Sequence, residues 1–107
     1  MSILLAFMLA AAAPPIVVSS LETAHLAEEC KGKDSDPAAT FCTGYIMGVF
    51  DALSLSRQIC PSAKQGFTLD AVAAVRKYLR TNPDKWSSAP SFVVRDALRA
   101  EFRCRRK

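Results

Sequence analysis

Apolar and small side chains fill one stretch of the chain, Phe41 to Ser56, while charge crowds the segments on either side. Asp51 is the single charge in that stretch. Within it Cys42, Tyr45, Ile46, Val49, Ala52 and Leu53 recur at helical spacing. Gly44, Gly48 and Ala52, four apart, share a second helical face on which another backbone has room to approach. A helix that is apolar nearly all round is buried on most sides. The stretch is therefore expected to form the central helix of a small all-α domain, with Asp36 as N-cap, Pro37 at its first position and Arg57 at its C-terminal end. The roughly twenty residues between Pro37 and Arg57 match the length of a membrane span. Threonine, serine, two glycines and an aspartate lower its hydropathy below that of a span, so a core helix is expected and no stable membrane span.

Three further helices follow from the same rules. The first runs from Leu21 to Cys30, with Ser19 and Glu22 at capping-box spacing and Leu26 and Cys30 on one face. Another starts at a Thr68 cap with Asp70 in its first turn, and buries Leu69, Val72, Val75 or Arg76, and Leu79, with Tyr78 on the flank. Asn82-Pro83 closes it, because the residue before proline is pushed out of the helical region. The last begins at Ser87 or Ser88 with Pro90 in its first turn; Val94, Ala97, Leu98 and Phe102 form its stripe and Cys104 its end. Short loops join these helices and no alternating strand pattern interrupts them. The expected fold is an all-α, disulfide-stapled bundle of about four helices.

The N-terminus adds a different signal. Met1 to Ser20 carry no charged side chain, and Ile3 to Ala13 form an apolar run too short to span a bilayer but suited to the hydrophobic region of a signal peptide. Pro14 and Pro15 end that run, and Val18-Ser19-Ser20 offers small residues for cleavage before Leu21. No Lys or Arg precedes the run. Residues 1–20 are read as a signal peptide and residues 21–107 as one domain.

Cysteine usage agrees with export. Cys30, Cys42, Cys60 and Cys104 are even in number, and none sits in a Cys-x-x-Cys pair of the zinc-ribbon or thioredoxin-like kind. Two disulfides are expected, supporting a core too small to be comfortably stable alone. Cys42 and Cys60 lie near opposite ends of the central helix, where about fifteen residues at about 1.5 Å each hold them roughly 20 Å apart. A disulfide tolerates no such distance. Two pairings remain: Cys30–Cys42 with Cys60–Cys104, or Cys30–Cys60 with Cys42–Cys104. The closeness of Cys30 to the start of the next helix favours the first.

No catalytic constellation stands out. The chain has no Gly-rich phosphate loop after a strand, no Gly-x-Ser-x-Gly elbow and no clustered carboxylates with an acid/base division. The expectation is a protein that is not an enzyme, with no cofactor and no metal. His25, beside Glu22, Glu28 and Glu29, assembles no triad or metal set and reads as a surface histidine. Asp51 reads as an exposed or arginine-paired carboxylate; the sharper alternative is a buried, proton-sensitive one. Trp86, between the last two helices, either plugs the bundle end or offers a binding hot spot.

Charge is uneven along a chain of net charge +4. The chain is net acidic up to Val75 and strongly basic from Arg76 onward, through Arg76, Lys77, Arg80 and Lys85. Arg95, Arg99 and Arg103 then repeat every fourth residue, and Arg105-Arg106-Lys107 follow. Such a face suits an acidic protein, an anionic membrane surface or nucleic acid. It equally suits a solvated surface whose cations complement helix C-termini. Nucleic acid is set aside, since no reading motif accompanies the charge and an exported protein seldom meets it.

The segment Phe41-Cys42-Thr43-Gly44-Tyr45-Ile46-Met47-Gly48-Val49 with Asp51 resembles the Phe-Cys-x-Gly-Tyr-Ile-x-Gly-Val-x-Asp core of type VI secretion amidase immunity proteins. Cys60-Pro61, Thr68-Leu69, Val75 to Leu79, Phe92-Val93-Val94, Ala97-Leu98 and Phe102-Arg103-Cys104 continue the likeness in order. Asn82 stands where that family usually has histidine, and Arg103 where it has proline. The resemblance implies a periplasmic, disulfide-bonded protein of HdeA-like architecture, often a homodimer, that binds and inhibits a peptidoglycan amidase effector. The alternative is a periplasmic stress or chaperone-like protein of the same fold without an effector. The disulfide scaffold at Cys30, Cys42, Cys60 and Cys104 carries over; no partner-binding residue does.

Overall fold

A computed structural model describes residues 14–32, 40–62 and 68–105, the side chains of 68 and 69 excepted. The apolar run Ile3 to Ala13, Asp36-Pro37 and Arg106-Lys107 lie outside the described residues. Within them the chain forms α1 (Thr23–Glu29), α2 (Phe41–Leu55), α3 (Thr68–Thr81), a short 3-10 turn (Pro83–Lys85) and α4 (Pro90–Glu101), with no strand. The three longer helices each pack on the other two, and α1 touches all three. This is a small all-α bundle.

Its core follows the apolar stripes. Ile46 and Leu53 of α2, Val72, Val75 and Leu79 of α3, and Val94, Ala97 and Leu98 of α4 are buried together with Leu26 of α1. Phe50 meets Phe102 edge to face, with ring centroids 5.4 Å apart. Thr23 is buried too, and its hydroxyl donates to the Ser88 carbonyl, tying the start of α1 to the entrance of α4.

Helix ends depart from expectation in three places. Thr40, extended at φ −114° and ψ 169°, is the N-cap of α2, and its hydroxyl accepts from the Thr43 N–H at 3.2 Å. The helix therefore begins at Phe41 and not at Asp36-Pro37; the threonine satisfies an orphan donor of the first turn. At α1 the N-cap is Glu22, with no side-chain capping bond, so Ser19 and Glu22 form no capping box. At α4, Pro90 itself takes the first helical position and Ala89 the N-cap, which displaces Ser87 and Ser88 from that role. Proline holds the preceding residue extended, and Ala89 sits at φ −69° and ψ 135°.

The end of α2 is a Schellman motif. The Gln58 N–H donates to the Leu53 carbonyl at 2.9 Å and the Arg57 N–H to that of Ser54 at 3.1 Å. Arg57 closes it at φ 60°, a left-handed conformation that costs a residue with a Cβ. The helix thus ends near Arg57, as expected, with Arg57 as the turn residue just past the Ser56 cap. Arg57→Gly is expected to raise stability by about 0.5–1 kcal/mol in urea titrations.

The largest difference concerns α2 as a whole. It is not buried on most sides: Phe41, Gly44, Gly48, Asp51, Ala52 and Leu55 are exposed, and a Cβ added at Gly44 or Gly48 meets nothing within 4 Å. The small stripe therefore packs against no element of the bundle among the described residues. Its buried side chains are Cys42, Ile46, Phe50 and Leu53, while Gly48 and Ala52 on the exposed side border an open hollow with Ser91, Phe92 and Arg95 of α4.

Disulfides join Cys30 to Cys42 and Cys60 to Cys104, with Cα separations of 5.0 and 4.8 Å. The first links the end of α1 to the first turn of α2. The second joins the segment after α2 to the segment after α4, where the Cys60 N–H also donates to the Phe102 carbonyl at 2.8 Å.

Candidate functional site

The residues singled out by chemistry do not converge. His25 is exposed, with Nε2 3.7 Å from Glu29 Oε1 and its ring 6.3 Å from that of Phe41. Asp51 is exposed, so the reading as a buried switch carboxylate falls. Among the described residues no group of three or more His, Cys, Asp or Glu is placed to hold a metal ion. No helix among them is long and apolar enough to cross a membrane.

Trp86 is half-buried against the core, and its Nε1 donates to the Leu79 carbonyl at 3.0 Å. The indole thus accepts the plugging role: it satisfies a carbonyl near the end of α3 and covers apolar surface. Beside it lies a cavity of 310 Å³ lined by Ala27, Cys30, Arg76, Leu79, Pro83 and Trp86, among others. Arg76 is buried at 4% exposure, and its Nε donates to the Cys30 carbonyl at 3.0 Å. The chain leaving α1 then turns over the guanidinium at Gly32, whose φ of +142° suits glycine. A Cβ there would lie 3.6 Å from Arg76 Nη2. Sequence periodicity left Val75 and Arg76 as alternatives; both are buried, one by packing and one by capping α1.

Tyr45 lies half-buried at the α2–α4 seam. Burial pushes its hydroxyl above the ordinary pKa, and the neighbouring Ser91 hydroxyl pulls the other way. That contact is not aligned as a hydrogen bond, since Ser91 Oγ is buried without a partner.

Two surfaces stand apart from these supports. One is the outer face of α2, where Phe41 is 50% and Leu55 86% exposed around the open glycines. The other is a cleft of 430 Å³ at the Cys60–Cys104 end, lined by Gln58, Arg99, Ala100, Arg103 and Cys104. The arginine row that runs through α4 and just past its end divides there. Arg95 is taken up by Asp96, Nη2 to Oδ1 at 3.1 Å, and lies 5.2 Å over the Phe92 ring. Arg99 and Arg103 are exposed at the cleft. The cleft was not legible in the sequence, because Gln58 and Cys104 meet only through the fold.

Comparison with known proteins gives one finding. A family model described as Rap1a immunity proteins matches residues 22–104, which takes in all four helices and both disulfides. No curated protein and no solved structure shows a significant match. With nearly the whole described bundle inside that match, the chain belongs to the Rap1a immunity protein family, a type VI secretion immunity family.

Proposed function

We propose that the protein is a periplasmic immunity protein that binds a type VI secretion peptidoglycan amidase effector and blocks it. The observation that carries this reading is the family match over residues 22–104. Immunity proteins neutralise secreted effectors by binding, and the family is generally non-enzymatic. Two disulfides in so small a bundle suit an oxidising compartment, which is where an enzyme attacking peptidoglycan would be met. Residues 1–20 serve as the signal peptide that takes the chain there, and residues 21–107 remain as the mature domain. The amidase as target rests on the likeness of the Phe41–Asp51 segment to amidase immunity proteins.

Exporting the cognate amidase to the periplasm tests the reading. Cells with this protein are expected to survive and cells without it to lyse. Equal survival in the two strains removes the immunity role and leaves a stress-related module of the same fold, which would instead suppress aggregation of unfolded clients.

The protein works as a homodimer through the outer face of α2. Among the described residues the exposed large apolar side chains are Ile16, Val17, Val18, Phe41 and Leu55. Cleavage after Ser20 removes the first three. The two that remain lie two helical turns either side of Gly48, and Gly44 and Ala52 lie one turn either side. An antiparallel copy related by a two-fold axis at Gly48 sets Phe41 against the partner's Leu55, and Gly44 against the partner's Ala52. Gly48→Leu is expected to stabilise the isolated fold by roughly 0.5–1 kcal/mol through helix propensity while breaking the dimer in sedimentation equilibrium. A variant that sediments as the wild type does removes this face from any interface.

A further inference from the structure

We propose that the arginine cleft at the Cys60–Cys104 end is the contact surface for the effector, and that it takes an acidic segment of that partner protein. The proposal deepens the immunity reading and rests on it.

The cleft is built before any partner arrives. Its walls come from two distant parts of the chain, Gln58 after α2 and Arg99 to Cys104 at the end of α4. The disulfide and the Cys60-to-Phe102 backbone bond lock those parts together, and Cys104 Sγ lies 3.7 Å from the Arg57 carbonyl. A surface held in place beforehand loses little freedom on binding.

Its charge is arranged for something outside the bundle. Arg99, in the last turn of α4, and Arg103, just past its C-terminus, line the same cleft and bring two like charges to it. No carboxylate lines the cleft. Among the described residues no carboxylate pairs with Arg57, Arg99, Arg103 or Arg105, whereas Arg95, one turn earlier, has Asp96. Glu101, exposed at the same helix end, borders a different hollow, so the cleft itself keeps a single sign. Guanidinium forks receive a carboxylate through two parallel bonds, so a partner's Asp or Glu is the matching group.

Shape separates the possible anions. A membrane presents charge in a plane, and a row of arginines along a helix would meet it edge on. Here the row is broken by the Arg95–Asp96 pair and the remaining arginines line a hollow. The hollow admits a protruding side chain or loop of a protein.

The test uses the exported mature protein and its cognate amidase in calorimetric titration, with Arg99→Glu/Arg103→Glu as the variant. Lys77→Glu/Lys85→Glu, which makes the same change in net charge on α3 and the following turn, is the control. The double arginine reversal is expected to weaken binding by roughly a hundredfold or more, and the control by less than tenfold. Thermal midpoints of both variants are measured so that a folding defect is seen as such; a folded arginine variant is expected, because both side chains are exposed and neither belongs to the core. An added arm with Arg99→Gln/Arg103→Gln, which removes charge without reversing it, is expected to fall between. Equal losses in both charge reversals mean general steering only and overturn the cleft. An unchanged arginine variant overturns it too. Sedimentation with phosphatidylglycerol vesicles that depends on Arg99 and Arg103, with amidase binding untouched, reassigns the cleft to lipid and also overturns it. Wild-type protein that binds no amidase defeats the immunity reading itself, and the cleft proposal with it.

Discussion

Replacing Cys60 and Cys104 by alanine is expected to cost about 4 kcal/mol of folding stability. The disulfide closes a separation of 44 residues, and the entropy removed from the unfolded chain grows with the logarithm of that loop. Cys30–Cys42 spans a separation of only 12, which by the same relation contributes about 3 kcal/mol. Small domains hold about 5–15 kcal/mol in total, so the longer link is a large part of the stability of this one. Reduction is expected to follow a set order as well. Cys60 and Cys104 are both exposed, while Cys30 and Cys42 are buried, so a limiting thiol reductant opens the longer loop first. Urea titration of the alanine variant and mass mapping of alkylated cysteines after partial reduction check the two parts. A midpoint shift smaller than that of the Cys30–Cys42 variant would mean that the unfolded chain retains structure near its C-terminus.

Arg76→Ala is expected to cost about 3 kcal/mol, the second largest effect. Its Nε bonds the Cys30 carbonyl at the end of α1, and its aliphatic stem is buried with it. Removal leaves a carbonyl without its donor beside the 310 Å³ cavity. A hydrogen bond from a charged donor is worth about 1.5–3 kcal/mol, and the lost stem adds to that. Arg76→Lys is expected to recover little, since an ammonium has no donor at the Nε position and its charge is more strongly hydrated. Hydrogen exchange supplies the local readout. Amides of Thr23–Glu29 should exchange faster in the alanine variant than those of Pro90–Glu101, because α1 is a short helix held mainly by its contacts. Uniform acceleration across all helices would assign Arg76 to the core as a whole.

Some of this was already written in the sequence. The period of Val72, Val75 and Leu79, and of Val94, Ala97, Leu98 and Phe102, marks the inner faces of α3 and α4, because apolar side chains every three or four residues have only one way to be buried together. The absence of an alternating pattern set the fold class. The Phe41–Asp51 segment and the order of the cysteines carried the family, and the family is what gives the protein a partner.

The tertiary structure decided what depends on neighbours. A count of apolar residues in Phe41–Leu55 says that the helix wants burial, but only the arrangement of three other helices says that one side goes without. Helix ends were settled by competition between adjacent candidates. Thr40 won over Asp36-Pro37, and Pro90 over Ser87 and Ser88, since each cap must meet the first turn that packing allows. Arg76, Trp86, Asp51 and His25 look alike to a sequence rule, each an odd residue in or beside a helical pattern. Two are drawn inward because a helix-end carbonyl lies within their reach, at Cys30 and Leu79. Asp51 and His25 stay exposed to water, His25 with only the edge of Phe41 and the Glu29 carboxylate beside it. Local periodicity thus determined which faces are apolar, and the fold alone determined which of them found something to cover.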